Sequence, residues 1–313
     1  MNRATKKHST GQAGGHSDHL PIGALVRVCR TRACANALAL VFVLVVSFLG
    51  LLQITSLAAR TDAIQSVDLE LVLAVDTSLS MSPGEQRLQR DGYIAAFLNP
   101  ILINAMLDGP NGRIAVTYLE WAGHREQSVI IPWQIINTAH DAKQFANQLK
   151  KRPITRAMMT SISAMLRTAS TLFDSSGVHG LRRVIDVSGD GPNNDGMPVE
   201  EVRNEVVRKG IVINGLTVQL VRSAKGNPYM DIPDLDRYYA DCVIGGPGAF
   251  VLSIDNAKQF AYAVRQKMLI EIAGVAPIRE PQLIKAGLTQ HHSKYDCLIG
   301  EKLLRKFFKE RWH

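Results

Sequence analysis

The chain has 313 residues, with 36 Lys and Arg against 28 Asp and Glu, a net charge of +8. With residues 1–60 at +6 and residues 276–313 at +4, the stretch between the basic ends is near −2. That weighs against a nucleic-acid-binding core, which needs clustered Lys and Arg on the folded part, and about 215 central residues suffice for one well-buried α/β domain. Residues 1–32 form a basic leader, expected in the cytoplasm. Residues 33–59 are almost wholly apolar and come after Arg27, Arg30 and Arg32. Positive charge before an apolar run places the chain beyond that run outside the cytoplasm. Two versions stay open: a signal peptide cut after Ala58, with Ser56 and Ala58 as the small residues before the cut, or an uncleaved anchor longer than the ~20 residues a bilayer needs.

The exported domain, residues 67–275, opens on Val67 to Ser80 (VDLELVLAVDTSLS), an apolar run that breaks into small oxygen-bearing side chains. Apolar residues on both parities from Leu69 to Val75 predict a strand covered on both faces, which delivers Asp76, Ser78 and Ser80 to its carboxyl end. Ser82 to Leu107 reads as mainly helical and is broken at Pro100. Arg113 to Trp121 and Gln127 to Ile136 read as an antiparallel hairpin with Pro132 on an edge. Next come His140 in a loop, a helix over Asp141 to Lys151, and another from Thr160 to Phe173. A strand over Arg183 to Ser188 runs into the turn-rich Gly189 to Gly196. A helix over Pro198 to Lys209, a strand over Ile211 to Leu220, a short helix near Ile232 to Ala240, a strand over Ala249 to Ile254 and a helix over Asn256 to Ile272 complete the domain. This alternation predicts a doubly wound, mostly parallel sheet with one antiparallel edge strand and helices on both faces.

Two strand ends then carry Asp76, Ser78, Ser80 and Asp190, with a loop holding Thr160 between them in sequence. Together these residues resemble a von Willebrand factor type A domain with a metal-ion-dependent adhesion site, whose pattern is DxSxS, then a threonine, then an aspartate. DTSLS at Asp76 to Ser80 fits the first element, Thr160 in MMTSISAML the second and Asp190 in VIDVSGDG the third. A finer resemblance is to an uncharacterised subfamily of exported bacterial proteins. It is carried by YLEWAG at Tyr118 to Gly123, VIIPWQII at Val129 to Ile136, SGDGPNNDG at Ser188 to Gly196, GIVINGL at Gly210 to Leu216 and YYADCVIGGPGAFV at Tyr238 to Val251.

The resemblance implies a Mg2+ ion, with Mn2+ or Ca2+ as substitutes, held by Asp76, Ser78, Ser80, Thr160 and Asp190. A carboxylate from a protein partner would complete the shell. The residues suit that reading: neutral hydroxyls and two carboxylates are hard donors for a cation that keeps several waters. One departure stands out, since Met158 and Met159 occupy positions before the threonine where the family has small residues, and Thr155 is a possible substitute. Read singly, Asp76, Ser80 and Thr160 also suit helix caps, and Asp190, Asn193, Asn194 and Asp195 suit turns.

The expected function is a non-catalytic binding module. Its alternatives are a metal-dependent hydrolase or phosphotransferase using Asp76, which lacks a second acid at Ser78, or a structural envelope protein with a vestigial site. Cys242 and Cys297 lie in the exported part, where an oxidising compartment permits their disulfide. In the tail, residues 276–313, Ile299 to Trp312 reads as a basic amphipathic helix that would pack on the domain, bind a partner helix or lie on an anionic membrane.

Overall fold

The computed structural model describes residues 65–220, 231–274 and 294–311, with 42–43, 45–46 and 284–285 besides. In chain order the elements are β1 (Gln65–Val67), β2 (Glu70–Asp76), α1 (Pro83–Phe97), α2 (Pro100–Leu107), β3 (Ile114–Trp121), β4 (Gln127–Ile136), α3 (Ala139–Lys151), α4 (Ile162–Leu172), β5 (Val178–Gly180) and β6 (Arg183–Gly189). They continue with α5 (Val199–Arg208), β7 (Ile211–Val218), α6 (Leu235–Tyr238) running into a π-helical turn (Tyr239–Val243), β8 (Phe250–Ile254), α7 (Phe260–Ala273), β9 (Ile284–Lys285) and α8 (Ile299–Arg311).

Strand β2 is buried along its whole length, and its side chains divide by parity. Leu71, Leu73 and Val75 enter one core while Val72 and Ala74 enter the other, as the two-residue repeat of a strand requires. The first core lies under α1, α2, α3 and α7, with Tyr93, Phe97, Met106, Phe145 and Met268. The second lies under α4, α5 and α6, with Ile162, Leu166, Val202 and Tyr238. Between them the sheet runs β4-β3-β2-β6-β7-β8-β9. It is parallel from β3 to β8, and β4 and β9 are antiparallel to their neighbours at the two edges. The expected doubly wound α/β fold is therefore the one the chain adopts.

The connection from β2 leads outward through β3 to β4, whereas β6 returns on the other side of β2. The crevice between the carboxyl ends of β2 and β6 is thus the point where strand order reverses, the usual place for a ligand in such sheets. Helix α1 begins beside it, capped by reciprocal bonds between Ser82 and Glu85. Asn99 caps α2 ahead of Pro100, so the helix predicted from Ser82 to Leu107 is two helices, as Pro100 required.

Three features depart from the sequence expectations. The opening strand is interrupted at Asp68, whose carboxylate accepts from the amides of Asn111 and Arg113, and β1 pairs with the short β5 instead of with the main sheet. His140 lies in the first turn of α3, not in the preceding loop, because Thr138 caps that helix earlier than Asp141. The two-residue β9 adds a second antiparallel edge.

Cys242 and Cys297 form a disulfide, with Cα atoms 5.5 Å apart, so residue 297 is tied to the π-helical turn. Of the three readings of the basic amphipathic helix, packing on the domain describes α8: Ile299 and Leu303 lie against the second core, and Lys302, Arg305, Lys306 and Lys309 face outward. Among the described residues no helix is long and apolar enough to cross a membrane. The leader and nearly all of residues 33–59 lie outside the described residues.

Candidate functional site

Asp76 is the last residue of β2 and has no exposed surface. Its Oδ1 accepts from the amide of Ser78 at 2.7 Å, turning the chain so that alternate side chains point back toward the strand end. Ser78 Oγ and Ser80 Oγ share a hydrogen bond of 2.6 Å, and Ser80 Oγ donates to Asp190 Oδ1 at 2.6 Å. Asp190 comes directly after β6, so the pairing of β6 with β2 brings it here from 110 residues away. Four of the five expected residues thus form one connected group at the switch point.

Thr160, the fifth, is buried in the neighbouring loop and is held there by its backbone. Its amide donates to Asn194 Oδ1 at 2.9 Å, and its carbonyl accepts from the amide of Asn194 at 2.8 Å. The preceding chain runs alongside the DTSLS loop, where Ala157 bridges Ser78 and its carbonyl accepts from the amide of Leu79. Thr155 is exposed, and its amide is directed to Glu120.

The other carboxylate oxygen of Asp76 is buried with no hydrogen-bond partner, as are Tyr239 Oη and Trp121 Nε1. Gly189 marks where these groups converge: a Cβ there would stand 2.7 Å from Tyr239 Oη and 3.1 Å from Asp76 Oδ2. Only glycine leaves that space open. Burial first, and then the charge of Asp190, push the Asp76 carboxyl up to about 8, against the lowering effect of the Ser78 hydrogen bonds and of the Asp190 backbone amide. A second carboxylate and a buried position each disfavour the anion.

The residues read as turn formers prove to be ties between loops. Asn193 Oδ1 accepts from the Ser163 amide at 3.0 Å, and the Asn193 amide donates to Tyr238 Oη at 3.0 Å. Asp195 Oδ2 accepts from the amide of His124 and pairs with His124 Nδ1, both at 2.7 Å, which fixes the β3–β4 turn to the Asp190 loop. Their run of short polar residues after a strand signals a turn, and nothing in that pattern signals partners so distant in sequence.

Met159 has φ +68°, a left-handed conformation that is uncommon for a long side chain. It lies between two anchored residues, Ala157, bridged to Ser78 two positions before it, and Thr160, clamped by Asn194 directly after it. This is where the family resemblance expects a small residue. Replacing Met159 by glycine removes a steric cost of about 1–2 kcal/mol and restores about 0.5–1 kcal/mol of chain entropy to the unfolded state. Met159→Gly is therefore expected to raise unfolding free energy by up to about 1 kcal/mol in urea titrations. A loss of stability instead would show that the Met159 side chain is needed where it is.

A family model described as protein of unknown function, DUF1194, matches residues 66–276. The chain belongs to the DUF1194 family. No curated protein matches this DUF1194 chain. Among solved structures it is similar to proximal thread matrix protein 1 from the mussel byssus, at 12% identity with TM-score 0.50, over 67% of this chain and 49% of that one. It is also similar to a von Willebrand factor type A protein from Catenulispora acidiphila, at 14% identity with TM-score 0.43, over 66% and 43%. A third is the pilus adhesin SpaC from Lactobacillus rhamnosus GG, at 14% identity with TM-score 0.48, over 67% and 31%. The DUF1194 chain thus spans less than half the length of each, and the likeness is one of fold. The fold shared with the first of these is the doubly wound α/β fold described above, and the second carries the von Willebrand factor type A name.

Proposed function

We propose that this protein is a non-catalytic binding module, working outside the cytoplasm, that captures a protein partner through a divalent ion of the Mg2+ type. Mn2+ and Ca2+ are the alternatives to Mg2+. The observation that carries the reading is the connected group Ser78–Ser80–Asp190 beside a buried carboxylate oxygen of Asp76 that has no hydrogen-bond partner. Such an oxygen costs stability unless something binds it, and a hard cation is a fitting occupant for a group of hydroxyls and carboxylates.

In this reading Asp76, Ser78, Ser80, Thr160 and Asp190 hold the ion directly or through water. When bound, the ion supplies a positive charge that a carboxylate from the partner can complete. The protein's own part is positional. Asp76 is fixed by the Ser78 amide, Ser80 is oriented by Asp190, and Thr160 is presented by Asn194. The groups around Asp76 are hydroxyls, an indole, a phenol and the Asp190 carboxylate, whose Oδ1 accepts from Ser80. The Cys242–Cys297 disulfide favours an oxidising compartment, in keeping with an export or anchoring role for residues 33–59.

The test is calorimetric titration of the purified protein with Mg2+, Mn2+ and Ca2+, followed by capture from envelope extracts with and without chelator. Heat of binding, a raised melting temperature and chelator-sensitive capture are expected. No heat and no thermal shift with any of the three ions would remove the metal from the reading.

A further inference from the structure

The carboxyl-terminal segment lies beyond the span shared with the family, which ends at residue 276, and packs directly on the loop after Asp190. Gly300, in the first turn of α8, is buried beside the Asn193–Asn194 peptide. A Cβ at position 300 would overlap the Asn193 carbonyl oxygen and stand 3.2 Å from Pro192 Cβ. One residue on, Glu301 Oε1 accepts from Asn193 Nδ2 at 2.8 Å. Tyr295 stacks edge-on against Tyr238, with ring centroids 5.9 Å apart, and Tyr238 Oη is the acceptor for the Asn193 amide. The Tyr295 amide donates to Asp241 Oδ2 at 2.9 Å, and Cys297 is bonded to Cys242.

These contacts meet on two parts of the site. One is the loop from Asp190 to Asn194, and the other is the π-helical turn whose first residue, Tyr239, has its hydroxyl beside Asp76. A helix resting on a loop through a glycine, with a side-chain bond beside it and a covalent tie before it, adds a restraint to the ties that Asn193, Asn194 and Asp195 already make.

We propose that residues 294–311 are a brace that sets the position of the Asp190 loop, with Gly300 and Glu301 as its positioning residues. Its consequence for ion affinity rests on the metal-site reading above; its effect on the loop does not.

Amide hydrogen exchange on the full chain, without metal, tests the brace, and Mn2+ titration tests the consequence. Gly300→Ala should speed exchange of the Asn193 and Asn194 amides at least tenfold and weaken Mn2+ binding at least fivefold, while the amides of β7 keep their protection. Glu301→Leu should act in the same direction. Glu301→Gln keeps the acceptor oxygen and should match the parent protein, an outcome that mere loss of packing would not produce. Should Gly300→Ala fail to fold, the Glu301 pair decides. Exchange at Asn193 and Asn194 within twofold of the parent in Gly300→Ala, or in Glu301→Leu if the former does not fold, overturns the brace. If the parent itself gives no heat with Mn2+, the metal-site reading falls and the exchange result alone decides.

Discussion

Asp76→Asn should abolish divalent-ion binding while the fold survives. The asparagine Oδ1 can still accept from the Ser78 amide, the bond that shapes the DTSLS turn, so the loop keeps its geometry. What is lost is one of two carboxylates. Since affinity for hard cations rises with the number of ligand charges, a fall of roughly 100-fold or more is expected. Asp76→Ala should bind no better, and it also gives up the turn-shaping bond. The two variants together separate charge from geometry. A metal-dependent rise in melting temperature that persists in Asp76→Asn would mean that the ion sits elsewhere.

The same residue gives the metal-free protein a pH dependence. The Asp76 carboxyl is raised from 3.8 to about 8 by burial and by Asp190. A carboxyl raised on folding contributes stability that is fully present below its unfolded pKa and is lost as pH rises through the folded one. Metal-free protein should therefore lose stability between about pH 4 and pH 8, and Asp76→Asn should flatten that profile. Ion binding, which requires the anion, should strengthen with pH up to about 8 and release a proton below it.

Much of this site was legible because parallel strands announce themselves. Apolar residues on both parities from Leu69 to Val75 leave a doubly covered strand as the economical reading, and the sudden change at Asp76 marks its carboxyl end. The same logic located Asp190 after RVIDVS. Proline did comparable service at Pro100, where a missing amide must end one helix and suits the start of another. The ties between loops were not legible. Asn193, Asn194 and Asp195 are chosen for partners at Ser163, Thr160 and His124, and a local pattern carries no information about contacts made across tens of residues. Gly300 was hidden for the same reason, since its value lies in what touches it. The strain at Met159 was half visible: the sequence flagged a long side chain in the wrong place, and the structure shows the left-handed backbone that makes it wrong.

Helix α7 carries a buried charge cluster. Lys267 and Glu271 stand four apart, the spacing of an ordinary solvated ion pair, yet both are buried. Lys267 Nζ lies 2.6 Å from Asp186 Oδ1 and 2.5 Å from Glu271 Oε1, with Asn214 Nδ2 donating to the same Glu271 oxygen at 3.0 Å. Tyr93 Oη donates to Asp186 Oδ1 at 3.3 Å. One cation faces two carboxylates in the core between α1, α7 and the sheet. Burial first, and then the charge of Asp186, push the Glu271 carboxyl up to about 8, against the lowering effect of Lys267 and Asn214. Lys267→Met removes the cation and leaves the Asp186 charge buried without an ionic partner, which costs about 3–5 kcal/mol. In a domain of this size that lowers the melting temperature by roughly 10 °C. Lys267→Met combined with Asp186→Asn removes both charges, and replacing a buried pair by neutral groups is often nearly neutral, so the double variant should recover most of the loss. Urea unfolding of the parent, the single and the double variant decides the matter. A single variant within about 1 kcal/mol of the parent would show that the pair contributes little. Glu271→Gln adds the pH arm: the Glu271 contribution is present below about pH 4.5 and lost as pH rises through 8, so the glutamine variant should hold its stability across that window.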